Sequence, residues 1–309
     1  MNERMMRAAV IRRFGGPAEF EIAEVPIPQP EGDEVLIRLI TAGVGVWDAE
    51  TRAGEAGDQG PFPLVLGTDG YGIVDSVGPA SPFLVGERVW AYNYGGKKGG
   101  FYAQYACVPA ACAAHAPPLL HDDVLGGAPT IAVTAWTGIR RVLDVESSDI
   151  VIVHGAAGTV GLCAVQFAAW TKARVIAVAS HDSETLRSLG ASDVIDDRED
   201  AGRAALAEAA RGATKLLLLA PWPADLVDAL GGLQIAYPNG VEPPKGVDAS
   251  AFDGVPDRQL WEQLDPQVAA HHFTLPIAAT CPLERVAHAH EALTQHHALG
   301  KIVLRISNT

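Results

Sequence analysis

The chain has 309 residues, 48% of them hydrophobic, enough for two ordinary domains each with its own core. Its 37 acidic and 23 basic side chains leave a formal charge of −14 with no Lys/Arg-rich run, which argues against a nucleic-acid backbone or an anionic membrane surface as partner. The opening MNERMMRAAVIRRF is charged from the start, and no stretch reaches the roughly 18 apolar residues of a membrane span, so a cytoplasmic location is expected.

From Met6 to about Tyr105 the segments RAAVIRR, EFEIAEVPIPQP, EVLIRLITAG, YGIVDSVG and ERVWAY are short, β-rich and separated by Gly, Pro and Asp clusters. They predict a compact, barrel-like β domain. From Thr130 the texture changes to strands alternating with helix-length segments, the signature of βαβ units on a parallel sheet. Strands are predicted at 150–154, 174–179, 193–196, 215–220 and 233–237, with helices at about 159–171, 182–189, 200–210 and 223–230. A Gly/Pro-rich loop, NGVEPPKGVDASAFDG, follows. Pro282 then opens a helix carrying Leu283, Val286, His290 and Leu293 on one face, and KIVLRI reads as a strand returning to the first domain.

The motif with the most chemical content is IVIVHGAAGTVGLCAVQFAAW, a buried strand running into glycines at 155, 158 and 161 and then into a helix. The first glycine permits the tight turn, the second permits close backbone approach, and the helix N-terminus offers free N–H groups to a pyrophosphate. Gly155, Ala157, Gly158, Thr159, Val160 and Gly161 are therefore the expected cofactor contacts. A plain strand-to-helix turn is the alternative reading. At the tip of the next strand, Ser180 and His181 stand where an acid would bind a ribose 2′-hydroxyl. With no acid there NADPH is favoured, while nearby Asp182, and the lack of Arg or Lys in SHDSE, keep NADH possible.

These residues, together with LGTDGYGIVDSVG, resemble the zinc-independent quinone oxidoreductase branch of the medium-chain dehydrogenase/reductase superfamily. Gly67, Asp69, Gly72, Val74, Val77 and Gly78 fit its GxDxxGxVxxVG pattern. GGFYAQYACVP looks like its GGxAEYVxVP strand, PTIAVTAW like its LPxxxxTAW helix, and SLGASDVID and GKIVLRI stand in family order. The resemblance implies a GroES-like β-barrel catalytic domain over 1–127, a Rossmann doubly wound parallel-sheet domain over 128–270, and a return to the catalytic domain over 271–309. It also implies a nicotinamide cleft between the domains, with Thr134 near the nicotinamide, Asn239 and Gly240 flanking the cofactor, and a homodimer.

No metal is expected. Where metal-dependent relatives keep GHE this chain has Gly67-Thr68-Asp69, and their first Cys aligns with Gly45, so two ligands of a three-ligand catalytic site are missing. Many quinone oxidoreductases place an Asn where Gly45 stands, which leaves the polar partner of the substrate open. Candidates are Trp47, Thr68, Tyr92, Asn93 and Tyr94. Trp47 is read as a wall of the cleft, Asp48 as a loop-fixing carboxylate, and the tyrosines equally as edge packing.

Six of the ten histidines, His271, His272, His288, His290, His296 and His297, are read as structural or solvated, since residues two apart on a helix cannot share a metal. Lys97 and Lys98 read as a solvated loop, and Cys107, Cys112, Cys163 and Cys281, without a CxxC pair, as reduced thiols. The function expected is NADPH-dependent reduction of a quinone or α,β-unsaturated carbonyl compound without zinc. The alternatives are a nucleotide-binding redox sensor or interaction protein with little catalysis, and an alcohol dehydrogenase, which would require zinc.

Overall fold

A computed structural model of the chain describes residues 4–57, 61–96, 98–295 and 299–307; Lys97, His296 and His297 lie outside the described residues. The elements in chain order are β1 (Met5–Ile11), β2 (Glu21–Pro26), β3 (Val35–Val44), α1 (Val46–Ala53), β4 (Leu64–Val65), β5 (Asp69–Val77), β6 (Arg88–Tyr92), β7 (Tyr105–Val108), β8 (Ala113–His115), α2 (Asp122–Gly127) and α3 (Pro129–Trp136). They continue with β9 (Ile150–His154), α4 (Thr159–Trp170), β10 (Arg174–Val178), α5 (Ser183–Ser188), β11 (Asp193–Ile195), α6 (Asp200–Gly212), β12 (Lys215–Leu218), β13 (Gln234–Pro238) and β14 (Ser250–Phe252). The last are α7 (Arg258–Ala270), β15 (Ile277–Pro282), α8 (Val286–Gln295) and β16 (Lys301–Arg305).

Contacts divide the chain into two compact units, one of Met1–Thr130, Pro256–His272 and Pro276–Thr309, the other of Ile131–Val255 and Phe273–Leu275. The first unit carries a sheet in the order β15-β16-β3-β5-β6-β8, with β7 also on β3, and a smaller sheet β2-β1-β4. β3 is buried along nearly its whole length because it pairs with β5, β7 and β16. Its close crossing with β5 requires Gly72, where a Cβ would lie 2.2 Å from the Arg38 carbonyl oxygen. Phe101, Tyr102 and Trp90 are fully buried in this unit. Each such side chain contributes roughly 1.5–3 kcal/mol or more through apolar burial.

The C-terminal strand pairs antiparallel with β3, so the chain does return to its first unit. Leu283, Val286 and His290 are buried on the face the sequence pattern marks. The grouping differs from the expected bounds at three places. Residues 128–130 fall in the first unit and Phe273–Leu275 in the second. Residues 256–270, expected within the Rossmann span 128–270, group with the first unit. The reason is α7, whose Trp261 packs on Trp90 at 5.5 Å and donates its indole N–H to the Ala111 carbonyl at 3.1 Å.

In the second unit six parallel strands follow the order β11-β10-β9-β12-β13-β14. The five expected strands are all present. The sixth, β14, lies in the loop NGVEPPKGVDASAFDG, where three residues without alternation gave no sequence signal. Residues 224–230, bounded by Pro223 and Gly231-Gly232, form a 3-10 turn instead of the expected helix. Successive strands run outward from β9 in one direction and then, from β12, in the other. Between β9 and β12 lies the switch point, where sheets of this kind take ligands beyond the carboxyl ends of their strands.

Candidate functional site

The glycine-rich turn sits at that switch point. Gly155 follows β9 with φ of 84°, a left-handed backbone that glycine tolerates without strain. Both Gly155 and Ala156 donate their N–H to the Val178 carbonyl, at 3.1 and 3.0 Å, which ties the turn to β10. Gly158 is the N-cap of α4, and no side chain caps the helix. The first N–H groups of α4 have no intrahelical acceptor, so the turn presents donors and a positive helix end to an anion. Gly161 lies against the turn so closely that a Cβ would sit 2.5 Å from the Gly155 carbonyl oxygen and 2.6 Å from that of Ala156. Ala157, Thr159 and Val160 are half-buried and Gly158 is exposed, so the turn is open to a ligand.

Ser180 and His181 follow β10, with His181 Nδ1 paired to the Asp182 carboxylate. The structure adds a residue that sequence reading missed. Arg198, just past β11, donates to the Ser180 carbonyl at 2.8 Å and grips Asp196 through two nitrogens at 2.9 and 2.7 Å. It lies beyond SHDSE in sequence and reaches the tip only because β11 pairs with β10. A cation on the strand neighbouring β10 would have been the signal. His154, at the end of β9, is buried with Nε2 3.1 Å from Asp197 and Nδ1 3.2 Å from the Ala220 carbonyl.

Thr134 is half-buried on α3, with the backbone at Gly254 so near that a Cβ there would lie 2.4 Å from its hydroxyl oxygen. Asn239 and Gly240 follow β13; the Asn239 side chain donates to Asp253, closing the β13–β14 connection.

In the first unit the candidate polar residues divide. Tyr94 is 46% exposed, and Tyr92 and Asn93 are half-buried. Thr68 is buried, and the Trp47 indole N–H donates to its hydroxyl oxygen at 2.5 Å. Asp48 fixes its own loop as expected: its Oδ2 accepts the Gly45 N–H at 2.8 Å at the start of α1.

Asp48 is also the end of a buried hydrogen-bond chain that the sequence did not announce. Arg52 NH1 lies 2.8 Å from His290 Nδ1, His290 Nε2 lies 3.3 Å from the Tyr102 hydroxyl, and that hydroxyl lies 3.0 Å from Asp48 Oδ2. The polarity is forced. A guanidinium only donates, so Nδ1 accepts, the imidazole proton sits on Nε2, and Tyr102 passes its own hydrogen to Asp48. Burial pushes His290 down to about 3, helped by Arg52, which keeps the ring neutral.

Around Asp48 two buried carboxylates share one ammonium. Burial, and then the nearby Asp69 carboxylate, push Asp48 up to about 7 against the pull of Lys301. Burial likewise raises Asp69, whose Oδ2 accepts the Thr130 N–H at 3.0 Å. Lys301 is 2% exposed, has no hydrogen-bond acceptor among the described residues, and lies 4.4 Å over the Trp47 ring.

Among the described residues no group of three His, Cys, Asp or Glu side chains is arranged to hold a metal ion, and no helix is long and apolar enough to cross a membrane. Burial pushes the thiols of Cys107 up to about 12 and Cys112 up to about 11, so neither offers a thiolate near neutral pH.

Residues 31–118 match the alcohol dehydrogenase GroES-like domain, and residues 189–304 match the zinc-binding dehydrogenase family. The chain is 32% identical over 205 residues to a quinone oxidoreductase of Lama guanicoe, covering 64% of this chain and 60% of that one. It is 34% identical over 199 residues to a 2-haloacrylate reductase of Burkholderia sp, covering 62% of this chain and 59% of the relative. The match thus spans about three fifths of the length of these curated relatives. In structure it is similar to a crystal structure of an NAD-dependent alcohol dehydrogenase, with a TM-score of 0.86 and 26% identity over 98% of this chain and 100% of that one.

Proposed function

Because the chain belongs to the medium-chain dehydrogenase/reductase superfamily, we propose that it is an NADPH-dependent reductase of quinones or α,β-unsaturated carbonyl compounds that works without zinc. The observation that carries this reading is the uncapped start of α4 behind the Gly155–Gly161 turn at the switch point of a parallel sheet. The residues present fit a dinucleotide: backbone N–H groups for the pyrophosphate at a helix start that no side chain caps. When bound, the nicotinamide supplies a hydride.

For the choice of cofactor, Ser180 leaves the strand tip without a carboxylate, and Arg198 brings a guanidinium beside it. A guanidinium suits a 2′-phosphate. Asp196 shares that guanidinium, so NADPH preference is expected to be moderate and to rest on Arg198.

The zinc named in one matching family does not fit this chain. Gly45 has no side chain, the Thr68 hydroxyl oxygen is occupied by the Trp47 N–H, and the Lys301 ammonium already lies beside Asp48 and Asp69. Without a metal, the reaction depends on orientation and on donors near the carbonyl oxygen. The relatives named a quinone oxidoreductase and a 2-haloacrylate reductase agree with activated, electron-poor acceptors as the substrate class.

The test is a fluorescence titration with NADPH and NADH, followed by NADPH oxidation with 1,4-benzoquinone and 2-cyclohexenone in the presence of 1,10-phenanthroline. Turnover that resists the chelator, with Arg198→Ala weakening NADPH and sparing NADH, is expected. Tight NADPH binding without turnover on any acceptor favours the nucleotide-binding sensor, and no binding refutes the reading altogether.

A further inference from the structure

The Trp47–Thr68 pair is built with more care than a wall of a cleft needs. An indole nitrogen only donates, so at 2.5 Å the Thr68 oxygen is the acceptor. The hydroxyl still carries one hydrogen, and among the described residues no acceptor takes it. Thr68 lines a small pocket of the first unit, about 30 Å³, with Asp48, Thr51, Gly67, Asn93 and Tyr94, wide enough for a single oxygen atom to reach the hydroxyl.

Four residues hold Trp47 in this pose. Gly45 leaves room for the ring: a Cβ there would lie 2.2 Å from Trp47 Cε2, so any other residue at 45 would displace the indole. Thr51 donates its hydroxyl to the Trp47 carbonyl at 2.8 Å, and Asp48 ties the first turn of the same helix to Gly45. Lys301 lies over the ring face at 4.4 Å in a site with almost no solvent. A cation on the face draws electron density from the ring and strengthens its N–H as a donor, and a hydroxyl that accepts a strong hydrogen bond becomes a stronger donor itself.

We propose that Thr68 donates its hydroxyl hydrogen to the carbonyl oxygen of the substrate, and that Trp47, seated by Gly45 and Lys301, is the positioning residue that aims it. The proposal rests on the reductase reading above. In the step concerned, a hydride supplied by NADPH, which would leave as NADP+, adds to the β-carbon of the conjugated carbonyl; the C=C π pair shifts to the Cα–carbonyl bond, the C=O π pair moves to oxygen, and the resulting enolate takes a proton from solvent, a quinone product then tautomerising to the hydroquinone. Thr68 lends a hydrogen bond to that oxygen without giving up its proton, which makes it a catalytic donor of the oxyanion-hole kind.

Thr68→Val removes the hydroxyl and keeps the shape, Thr68→Ser restores it, and Trp47→Phe removes the indole N–H. Two readouts are taken: kcat and KM for NADPH oxidation by 1,4-benzoquinone, and the carbonyl stretch of bound 1,4-benzoquinone by difference infrared spectroscopy with NADP+ present, which needs no turnover. Thr68→Val is expected to lower kcat about 100-fold, as loss of one oxyanion donor does, with NADPH affinity unchanged and Tm lowered because the Trp47 N–H loses its acceptor. The downshift of the bound carbonyl stretch is lost in Thr68→Val, kept in Thr68→Ser and reduced in Trp47→Phe.

A wild-type protein that binds quinone with no downshift overturns the proposal, as does Thr68→Val with kcat within twofold of wild type, or Thr68→Ser as poor as Thr68→Val. Turnover in the wild type together with any of these leaves the reductase reading standing. A wild-type protein that neither binds quinone nor turns over 2-cyclohexenone brings down both.

Discussion

Tyr102→Phe deletes a single oxygen and leaves a fully buried ring in its packing. That oxygen accepts from His290 Nε2 at 3.3 Å and donates to Asp48 Oδ2 at 3.0 Å. Asp48 Oδ2 retains the Gly45 N–H, so it loses one of two donors, whereas the His290 N–H loses its acceptor at a position with 0% exposure. An orphaned buried donor costs about 1–3 kcal/mol and the second lost bond about 1 kcal/mol, for a total of about 2–4 kcal/mol. With two compact units a single unfolding free energy is poorly defined, so native-state hydrogen exchange of the α1 and α8 amides is the suitable assay. Protection there should fall by roughly 30- to 700-fold, at a factor of ten per 1.4 kcal/mol, with the amides of β9 and β10 little changed. A fall of less than about threefold in α1 and α8 would refute the argument that the chain from Arg52 to Asp48 is a buried, directional network.

Two further outcomes follow from the same geometry. The Asp48 carboxyl is raised from 3.8 to about 7 in the folded chain, so its contribution to stability is complete below about pH 4 and is lost as pH rises through 7. Asp48→Asn keeps an acceptor for Gly45 and Tyr102 without that loss; relative to wild type it should gain about 2–3 kcal/mol between pH 5 and 8, seen as a widening gap in Tm, and a constant gap would show that Asp48 does not titrate in this range. In the second unit Gly161→Ala drives a methyl to within 2.6 Å of two turn carbonyls, and fluorescence titration should show NADPH bound at least about tenfold more weakly, a 1.4 kcal/mol loss. An unchanged affinity would separate the turn from cofactor binding.

Much of the fold was legible because it rests on local signals. Strand β9, Gly155, Gly158, Gly161 and helix α4 are contiguous, and their turn is dictated by φ and by the absence of a Cβ, which a sequence displays directly. Strands β9, β10 and β12 of the parallel sheet are buried runs of Val, Ile and Leu that few other structures accept. β14 and the 3-10 turn at 224–230 were misread because three to seven residues between Pro and Gly carry too little periodicity, and pairing with β13 decides the first of them. The side on which α7 packs was likewise set by Trp261 meeting Trp90 and Ala111, about 150 residues away in the chain.

The sequence by itself determined the two-part architecture, the glycine-rich turn and the absence of the usual zinc ligands at Gly45 and Thr68, since each depends on residue identity at neighbouring positions. The tertiary structure decided the rest. Arg198 reaches Ser180 through strand pairing, Trp47 reaches Thr68 across the space Gly45 leaves open, and Arg52, His290, Tyr102 and Asp48 form one line although 238 residues separate its first two members. A hydrogen bond is fixed by distance and direction in space, and only the packed chain brings such donors and acceptors together.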